Sequence, residues 1–304
     1  MNRLAVLSLL ILVATPALAK TAPGDVAAKP ENAAPVTPAA PFGGDSSKPF
    51  NVDADQSLEW RQNENLYIAR GHAKVTRDDF TIVGDTLTAI ERPKKIGTGK
   101  EIWKFTAEKN VVISNGKANA YGDHGVYDID SQTAVLTGDN LHMVTNDDTL
   151  TATDRFEYHT AEHKAVAVGH AVAIRAPQPG QPDSGRTVKA DTMTTYFVED
   201  AHKNLTADHV EAEGHVTIIT ATDVATGDHA TYNMNAGNAV LTGNVRLARG
   251  KSQLEGDRAE VDFKTGVSRL LSGGKGDGKT GRVHGLLVPG QDGATVMPTT
   301  IKKN

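Results

Sequence analysis

The chain contains no cysteine. Disulfide bonds and thiol chemistry are therefore excluded, and stability must come from strand pairing and a hydrophobic core. Aromatic residues make up only 5% of the chain, which excludes a thick globular core filled with large rings. The apolar side chains are mostly valine, leucine and alanine. This composition favours a thin, twisted sheet folded on itself.

Excess positive charge and long apolar runs are also missing. The formal net charge is −5, so no basic stripe is present to bind phosphates, and nucleic acid is not an expected partner. One apolar run, Leu4 to Ala14, follows a basic start and precedes Ala17-Leu18-Ala19. Because a spanning helix needs roughly 20 apolar residues, residues 1–19 are predicted to be a cleavable signal peptide. Export to a periplasm is the expected consequence.

Composition divides the rest of the chain into three parts. Residues 20–49 are rich in alanine and proline and predict a disordered leader. Residues 50–289 carry β-rich runs and are predicted to form one domain, and residues 290–304 a flexible tail. Within the domain, Arg92 to Lys100 and Ala176 to Arg186 are predicted to be loops.

A repeated motif organises this domain. A typical copy opens with Ala/Gly-Asp (Thr-Asp at Asp154), runs through two β-rich segments separated by a turn, and closes on a glycine. Asp123 to Gly138 and Asp228 to Gly243 each span fifteen residues, whereas the copy that begins at Asp191 is stretched to 23 and predicts a longer turn. Successive copies lie 29 to 38 residues apart, a period typical of stacked repeat architectures. The repeat aspartates are Asp55, Asp85, Asp123, Asp154, Asp191, Asp228 and Asp257.

The predicted fold class is all-β. We expect an elongated, twisted β-jellyroll, a V-shaped, solenoid-like antiparallel sleeve built from repeated strand pairs. Aliphatic side chains that line the inside of such a sleeve can hold acyl chains, at about 0.8 kcal/mol per buried methylene. Open strands at both ends of the sleeve are templates for strands of another chain. Alternation predicts these groove-lining residues: Leu66, Ile68, Val75, Leu87, Val112, Val135, Val168, Val216, Ile218, Val240, Val245 and Leu247.

Two ordered sets of motifs resemble the LptA/OstA-like family of periplasmic lipopolysaccharide-export bridge proteins. The resemblance covers roughly Pro49 to Pro289. Its opening motifs are Pro49 to Glu59, Gly71 to Thr76, Gly84 to Thr88 and Arg92-Pro93, and its closing motifs are Gly227 to Tyr232, Ala239 to Val245, Leu254 to Asp257 and Arg282 to Pro289. The middle of the chain, Asp123 to Gly214, departs from the family by supplying extra repeats.

The resemblance implies a carrier for lipopolysaccharide. An LptC-like inner-membrane protein would dock at the N-terminal edge, where Phe50 and Val52 match the alternating apolar positions of the family's first strand. In the family this strand also faces the entering lipid, so the resemblance adds Phe50 and Val52 to the groove-lining residues. An LptD-like outer-membrane protein would dock at the C-terminal edge, where Leu286 and Val288 hold the corresponding place. The resemblance also implies edge-to-edge stacking, which allows head-to-tail self-association. No cofactor is implied.

Other functions stay open at this stage. Within the family, the chain could be a membrane-anchored LptC-like member or an LptD-like N-terminal jellyroll. Outside it, a polysaccharide-cleaving β-helix enzyme or a self-assembling β-solenoid would fit a repeat protein. Because the aspartates recur in seven copies, a structural role is favoured over acid–base catalysis. His72, His170 and His215 each follow a repeat glycine, which is predicted to lie at a turn, and these repeated turn positions disfavour a metal site. A basic set at the N-terminal rim could meet phosphates: Lys74, Arg77, Lys94, Lys95 and Lys100.

Overall fold

The computed structural model describes residues 50–77, 80–114, 118–177, 179–180, 185–199, 205–262, 267–272 and 282–288. Within these ranges the chain forms one antiparallel sheet of eighteen strands. The strands are β1 Asn51–Asp53, β2 Ser57–Arg61, β3 Leu66–Arg77, β4 Phe80–Pro93, β5 Lys100–Ser114, β6 Ala118–Asp128, β7 Thr133–Thr137, β8 His142–Thr145, β9 Asp148–Thr151, β10 Arg155–His159, β11 Lys164–Arg175, β12 Arg186–Glu199, β13 Leu205–Thr220, β14 Asp223–Asn233, β15 Asn238–Arg249, β16 Ser252–Asp262, β17 Val267–Leu271 and β18 His284–Leu286.

The sheet is a meander in which neighbours along the chain pair with each other. We call each long strand, or each pair of short strands that together take the place of one, a rung. Ten rungs of the described residues are single long strands, and four are split into two short strands: β1/β2, β7/β8, β9/β10 and β17/β18. Pairing between neighbours in sequence explains how a regular repeat can build a long sheet without long crossover connections.

A break in register divides every long rung at the same level. The break lies between Arg70 and Ala73 in β3, and between Glu213 and Val216 in β13. An extra residue in one strand of an antiparallel pair bends the sheet. Each rung therefore has two halves, and the corresponding halves of all rungs form two arms. The first arm includes β2, β7, β10 and β17, and the second arm includes β1, β8, β9 and β18.

The apolar faces of the two arms meet in one elongated core. Leu87 of the first arm and Val75 of the second belong to the same cluster of buried side chains, which extends to Val245 and Val261 near the far end. Alanine is frequent in this cluster, as a thin sleeve requires, and the largest fully buried side chains are Val111, Val216 and Val245. The prediction of an all-β jellyroll sleeve is confirmed.

Two local predictions need correction. The glycine that closes each repeat was expected at a turn, but Gly71, Gly169 and Gly214 lie at the bulges in the middle of long strands. The stretched copy after Asp191 was expected to carry a longer turn, yet β12 and β13 themselves extend, with Glu199 opposite Leu205. Glycine with a positive φ serves turns and bulges equally, so only strand pairing distinguishes them.

The two ends of the sequence lie outside the described residues. The predicted signal peptide (1–19), the leader (20–49) and the tail (290–304) all lie outside the described residues. Of the two predicted loops, the first narrows to residues 94–99, since Pro93 still pairs with Lys100. Among the described residues, no helix is long and apolar enough to cross a membrane.

Candidate lipid groove and docking edges

Two continuous apolar rows line the space between the arms. Residues directly opposite each other in paired strands point to the same face. In the first arm, the row reads Leu58, Ala69, Leu87, Ala107, Gly125, Leu136, Phe156, Ala167, Met193, Ala212, Ala230, Leu241, Ala259 and Leu270. In the second arm, it reads Val52, Val75, Ile82, Ile113, Ala120, Met143, Leu150, Ala173, Val188, Ile218, Ala225, Leu247, Leu254 and Gly285.

Each row runs from the first rung to the last without a polar side chain. This continuity depends on the level of the bulges, because a register slip of one residue would turn every side chain of a strand to the other face. The rows therefore form one apolar track along the described sleeve.

A cavity of about 470 Å³ opens this track at the N-terminal end. Both arms line it, with Leu58 and Leu87 from the first row and Val52 and Ile82 from the second. Its volume lies within the range of about 300–1,000 Å³ that is usual for small-molecule sites. Small residues, such as Ala107, leave this space between the arms.

An aromatic and cationic contact closes one side of the cavity. The rings of Phe50 and Phe105 lie 5.5 Å apart, joining the start of the second arm to the first arm. The guanidinium of Arg77 stacks over Phe50 at 4.8 Å from the ring centre, and Arg77 is buried. A cation over a ring is attracted by its electron-rich face. Because Arg77 is buried, it is not part of an exposed phosphate-binding rim.

The charged groups beside the mouth are already paired. Glu59 accepts hydrogen bonds from Arg61 at 2.9 Å and from Arg70 at 3.1 Å. The bond from Arg61 is the main cause that lowers the pKa of Glu59, followed by the bond from Arg70. Lys95, which was predicted to meet phosphates, lies 3.1 Å from Asp130. The remaining members of that basic set, Lys74, Lys94 and Lys100, are exposed.

Eight of the residues predicted to line the groove lie in the two apolar rows, pack against the core or are buried at the bulges. Val52, Val75, Ile218 and Leu247 stand in the second-arm row and Leu87 in the first-arm row, while Phe50 packs against the core. Val216 and Val245 are fully buried at the bulges. Their contact with lipid stays a prediction.

The other six predicted groove residues lie on the opposite face. Val135 and Val240 alternate with the buried residues Leu136 and Leu241, and their cross-strand neighbours include Glu157 and Glu260. Alternation alone does not decide which of two adjacent apolar residues points inward, and in these strands Leu136 and Leu241 take the inner positions. The six are Leu66, Ile68, Val112, Val135, Val168 and Val240, of which Ile68 is nevertheless buried and borders the mouth cavity.

Sequence reasoning missed the small residues of the inner rows. Ala69, Ala107, Ala167 and Ala212 are all buried in the core. Alanine has low β-propensity and was not read as a strand signal. The signal that could have found these positions is their constant distance from the repeat glycines: Ala69, Ala167 and Ala212 each precede the bulge glycine by two residues.

The repeat aspartates tie neighbouring rungs together at the bulges. Asp191 pairs with Nδ1 of His215 at 2.8 Å, and Asp228 accepts a hydrogen bond from the amide of Asn244 at 2.9 Å. Asp123 accepts one from the backbone N–H of Asp139 at 2.9 Å. These contacts give the aspartates the structural role that repetition predicted. Among the described residues no group of His, Asp or Glu is arranged to hold a metal ion.

Both ends of the sleeve present open strand edges. Within the described residues, β1 and β2 pair only with β3, while β17 and β18 pair only with β16. Large apolar side chains are exposed at these edges: Val52 (40%), Leu58 (62%) and Trp60 (58%) at the first, and Leu286 (61%) at the last. Val288 is half-buried, and its N–H donates to the hydroxyl of Ser252 at 3.0 Å.

Comparison with known proteins places these features in a family. A family model described as "LptA/(LptD N-terminal domain) LPS transport protein" matches the chain twice, over residues 51–164 and 155–267. The chain belongs to this family. The predicted membership in the LptA/OstA-like group, inferred from the opening and closing motifs, is confirmed. As a member of the LPS transport family, the chain carries the family domain in two consecutive copies that overlap at β10.

A solved structure is also similar. It is the crystal structure of LptH from Pseudomonas aeruginosa, titled the LptA homologous periplasmic component of the conserved lipopolysaccharide transport device. Identity is 13%, the match covers 80% of our chain and 96% of LptH, and the TM-score is 0.22. Family membership rests on the sequence match. No curated protein sequence matches the chain significantly.

Proposed function

We propose that this LPS transport family member is a periplasmic bridge that binds the acyl chains of lipid A between its two arms. The observation that carries the proposal is the pair of unbroken apolar rows, which begin at the mouth cavity and continue to the last rung. Transfer of acyl chains from water to such a surface yields about 0.8 kcal/mol per methylene buried. A track without polar interruption lets a chain advance without a large barrier at any one rung.

The open edges supply the partners of the bridge. An LptC-like inner-membrane protein would add a strand to β1 and β2, next to the cavity, and an LptD-like outer-membrane protein would add one to β17 and β18. Strand addition uses the unpaired backbone groups of an edge for affinity and its exposed side chains for specificity. Leu58, Trp60 and Leu286 are the exposed anchors for such docking.

The sequence of residues 1–19 supports the periplasmic location in this proposal. Its basic start, apolar stretch and small-residue cleavage site are those of a secretory signal. The absence of cysteine is compatible with an oxidising compartment, because no thiol can form a wrong disulfide.

Photo-crosslinking at two adjacent positions tests the proposal. Val52 stands in the inner row and lines the cavity, while Asp53 points to the other face of the same strand. With a photoreactive residue at Val52, irradiated cells should yield an adduct that reacts with antibody to lipopolysaccharide. The same residue at Asp53 should give at least about tenfold less, because alternate residues of a strand face opposite sides.

Equal lipid adducts from both positions, or no lipid adduct from Val52 in a folded protein, would contradict the proposal that lipid binds between the arms. Protein adducts without lipid would support partner docking at this edge and contradict the role as a lipid carrier. Loss of signal for both probes together with loss of β content would identify a folding defect, which circular dichroism of the purified variants detects independently.

A further inference from the structure

A row of charged side chains lies beside the apolar row of the second arm. Arg175 and Arg186 stand two residues beyond Ala173 and Val188 of that apolar row, toward the turns that end the arm, so they point to the same inner face. By the same criterion, the charged row continues across the neighbouring strands. Its members in the middle of the sleeve are Asp148, Arg175, Arg186, Thr220, Asp223 and Arg249.

Two bidentate ion pairs neutralise most of the charge in this row. Arg175 donates from Nε and Nη2 to the two carboxylate oxygens of Asp148, at 2.7 and 2.6 Å. Arg249 donates in the same way to Asp223, at 2.5 and 2.7 Å, and Asp223 is buried. Each of these carboxylates is therefore bonded to an arginine of its own. The positive charge of Arg186 has no counterpart in the charged row.

The guanidinium of Arg186 lies in surroundings that disfavour its charge. Arg186 stands directly opposite Arg175, and like charges in this position destabilise a sheet. Its Nη1 is one of four buried side-chain atoms of the described residues that have no hydrogen-bond partner. Burial, followed by repulsion from Arg175, lowers the pKa of Arg186. Because an arginine stays protonated in proteins, an anion beside Arg186 would balance the charge at this place.

The first arm supplies a hydroxyl group to the same place. Tyr232 stands two residues from Ala230 of the first-arm row and points to the inner face. Its hydroxyl acts electrostatically on both Arg175 and Arg186, so the two arms approach each other here. A tyrosine hydroxyl can donate a hydrogen bond to an anion. Two guanidinium groups and one hydroxyl therefore converge about 7 Å, or two residues of β12, from the apolar track.

We propose that Arg186, assisted by Arg175 and Tyr232, binds the phosphate group of a ligand that enters between the arms. The planar guanidinium presents paired N–H donors that fit phosphate oxygens. Two sources share this chemistry, namely free phosphate and the headgroup of a lipid whose acyl chains lie against Val188 and the rest of the track. The lipid source rests on the proposed function, whereas the phosphate site itself does not.

Arg186→Gln tests the site with inorganic phosphate as the probe and no lipid present. Phosphate added at constant ionic strength should raise the midpoint of thermal unfolding of the natural full-length chain above its value in chloride, because a ligand of the folded state stabilises it. The shift should disappear in Arg186→Gln, which keeps N–H donors and removes the charge. In chloride this variant should be at least as stable as the natural chain, since an uncompensated charge is gone.

The matched control is Lys189→Gln. Lys189 is exposed and lies on the outer face of the same strand, next to Val188 of the inner row, so this change removes the same charge from the other side of β12. It should keep the phosphate shift. If Arg186→Gln does not fold, Tyr232→Phe replaces it and should reduce the shift, because one donor to the phosphate is lost.

Dodecyl phosphate and dodecyl maltoside, used below their micelle concentrations, distinguish the two sources of phosphate. If the ligand is a lipid, the natural chain should bind dodecyl phosphate at least about tenfold more tightly than dodecyl maltoside or inorganic phosphate. Arg186→Gln should remove this preference and leave the affinity for dodecyl maltoside within about twofold. Equal affinities for dodecyl phosphate and inorganic phosphate, both lost in Arg186→Gln, would support the site with free phosphate as its ligand.

The same response of the natural chain and Arg186→Gln to both phosphate probes would overturn the proposal. So would loss of the phosphate shift in Lys189→Gln, because the effect would then be one of net charge. If dodecyl maltoside bound as expected in these cases, the apolar track would stand and only the phosphate site would fail. Conversely, an Arg186-dependent shift with inorganic phosphate would support the site even if no lipid bound.

Discussion

The carboxylate of Asp191 shows how individual residues hold the sleeve at its bend. It pairs with the ring of His215 at 2.8 Å across the bulge, and this contact raises the pKa of His215 above its ordinary value. In the repeat copy at Asp228, an asparagine, Asn244, takes the place of the histidine. The sequence alone predicted a structural role for these residues from their recurrence, but it did not reveal that Asp191 and Asp228 each meet the residue after the next bulge glycine.

The substitution His215→Asn tests this contact through pH. A raised pKa in the folded state means that the histidine contributes stability below its unfolded pKa, about 6.5, and that this contribution is lost as pH rises through the folded value. Asparagine keeps the hydrogen bond and does not titrate. The free energy of unfolding of the natural chain, measured by urea denaturation, should therefore fall relative to that of the variant between about pH 6 and 8.

An NMR titration of the His215 ring provides an independent check of the same prediction. A midpoint above that of an unstructured histidine is expected. If the free energies of unfolding of the two proteins changed in parallel across this pH range, the Asp191 contact would stabilise the charged and the neutral ring equally, which would contradict the prediction.

At the scale of the strand, the bulge decides the architecture. Gly214 has φ of +76°, and the space that its Cβ would occupy is filled by the carboxylate of Asp191. The hydrophobic pattern predicted strands on both sides of this glycine, and the glycine itself predicted a turn. The chain instead continues as one strand, because the residues on each side pair with the same neighbouring strand, β12. Turn and bulge have the same local sequence chemistry, so the sequence could not separate them.

Replacement of bulge and loop glycines tests the special role of the bulge. Gly180 lies in the loop between β11 and β12 with φ of +79°, and nothing lies within 4 Å of its Cβ position. Gly180→Ala should therefore cost only backbone strain, about 1 kcal/mol. Gly214→Ala adds the clash with Asp191 and should cost about 1–3 kcal/mol more in the free energy of unfolding. Equal losses for the two variants would mean that the carboxylate moves away without cost.

The whole molecule is an apolar track with two ends, and its inside and outside can be compared at adjacent positions. Ile82 is buried in the second-arm row and lines the mouth cavity, whereas the next residue, Val83, stands in an outer row with Val112. The sequence predicted aliphatic alternation in this strand but gave no sign of the cavity. The cavity arises because two separate arms contribute its walls.

An aspartate at each of these two positions tests the track as a unit. Ile82→Asp puts a charge in the mouth and should reduce binding of purified lipopolysaccharide at least about tenfold, because an unpaired charge in an apolar site is costly. Val83→Asp should bind within about twofold of the natural chain. Far-UV circular dichroism establishes that both fold, and Ala107→Phe, which fills the cavity without a charge, replaces Ile82→Asp if that variant does not. Undiminished binding by Ile82→Asp and by Ala107→Phe would place the lipid elsewhere.

The sequence by itself determined the all-β class and the repeat, because β-branched alternation and a regular Asp-Gly period are local patterns. It also carried the motifs of the LPS transport family, which the family match confirms. The tertiary structure alone decided which face of each strand is inside. Val240 and Leu241 are both good strand residues, and only the bend at the bulges, which brings two distant arms together, buries Leu241 and leaves Val240 on the outer face.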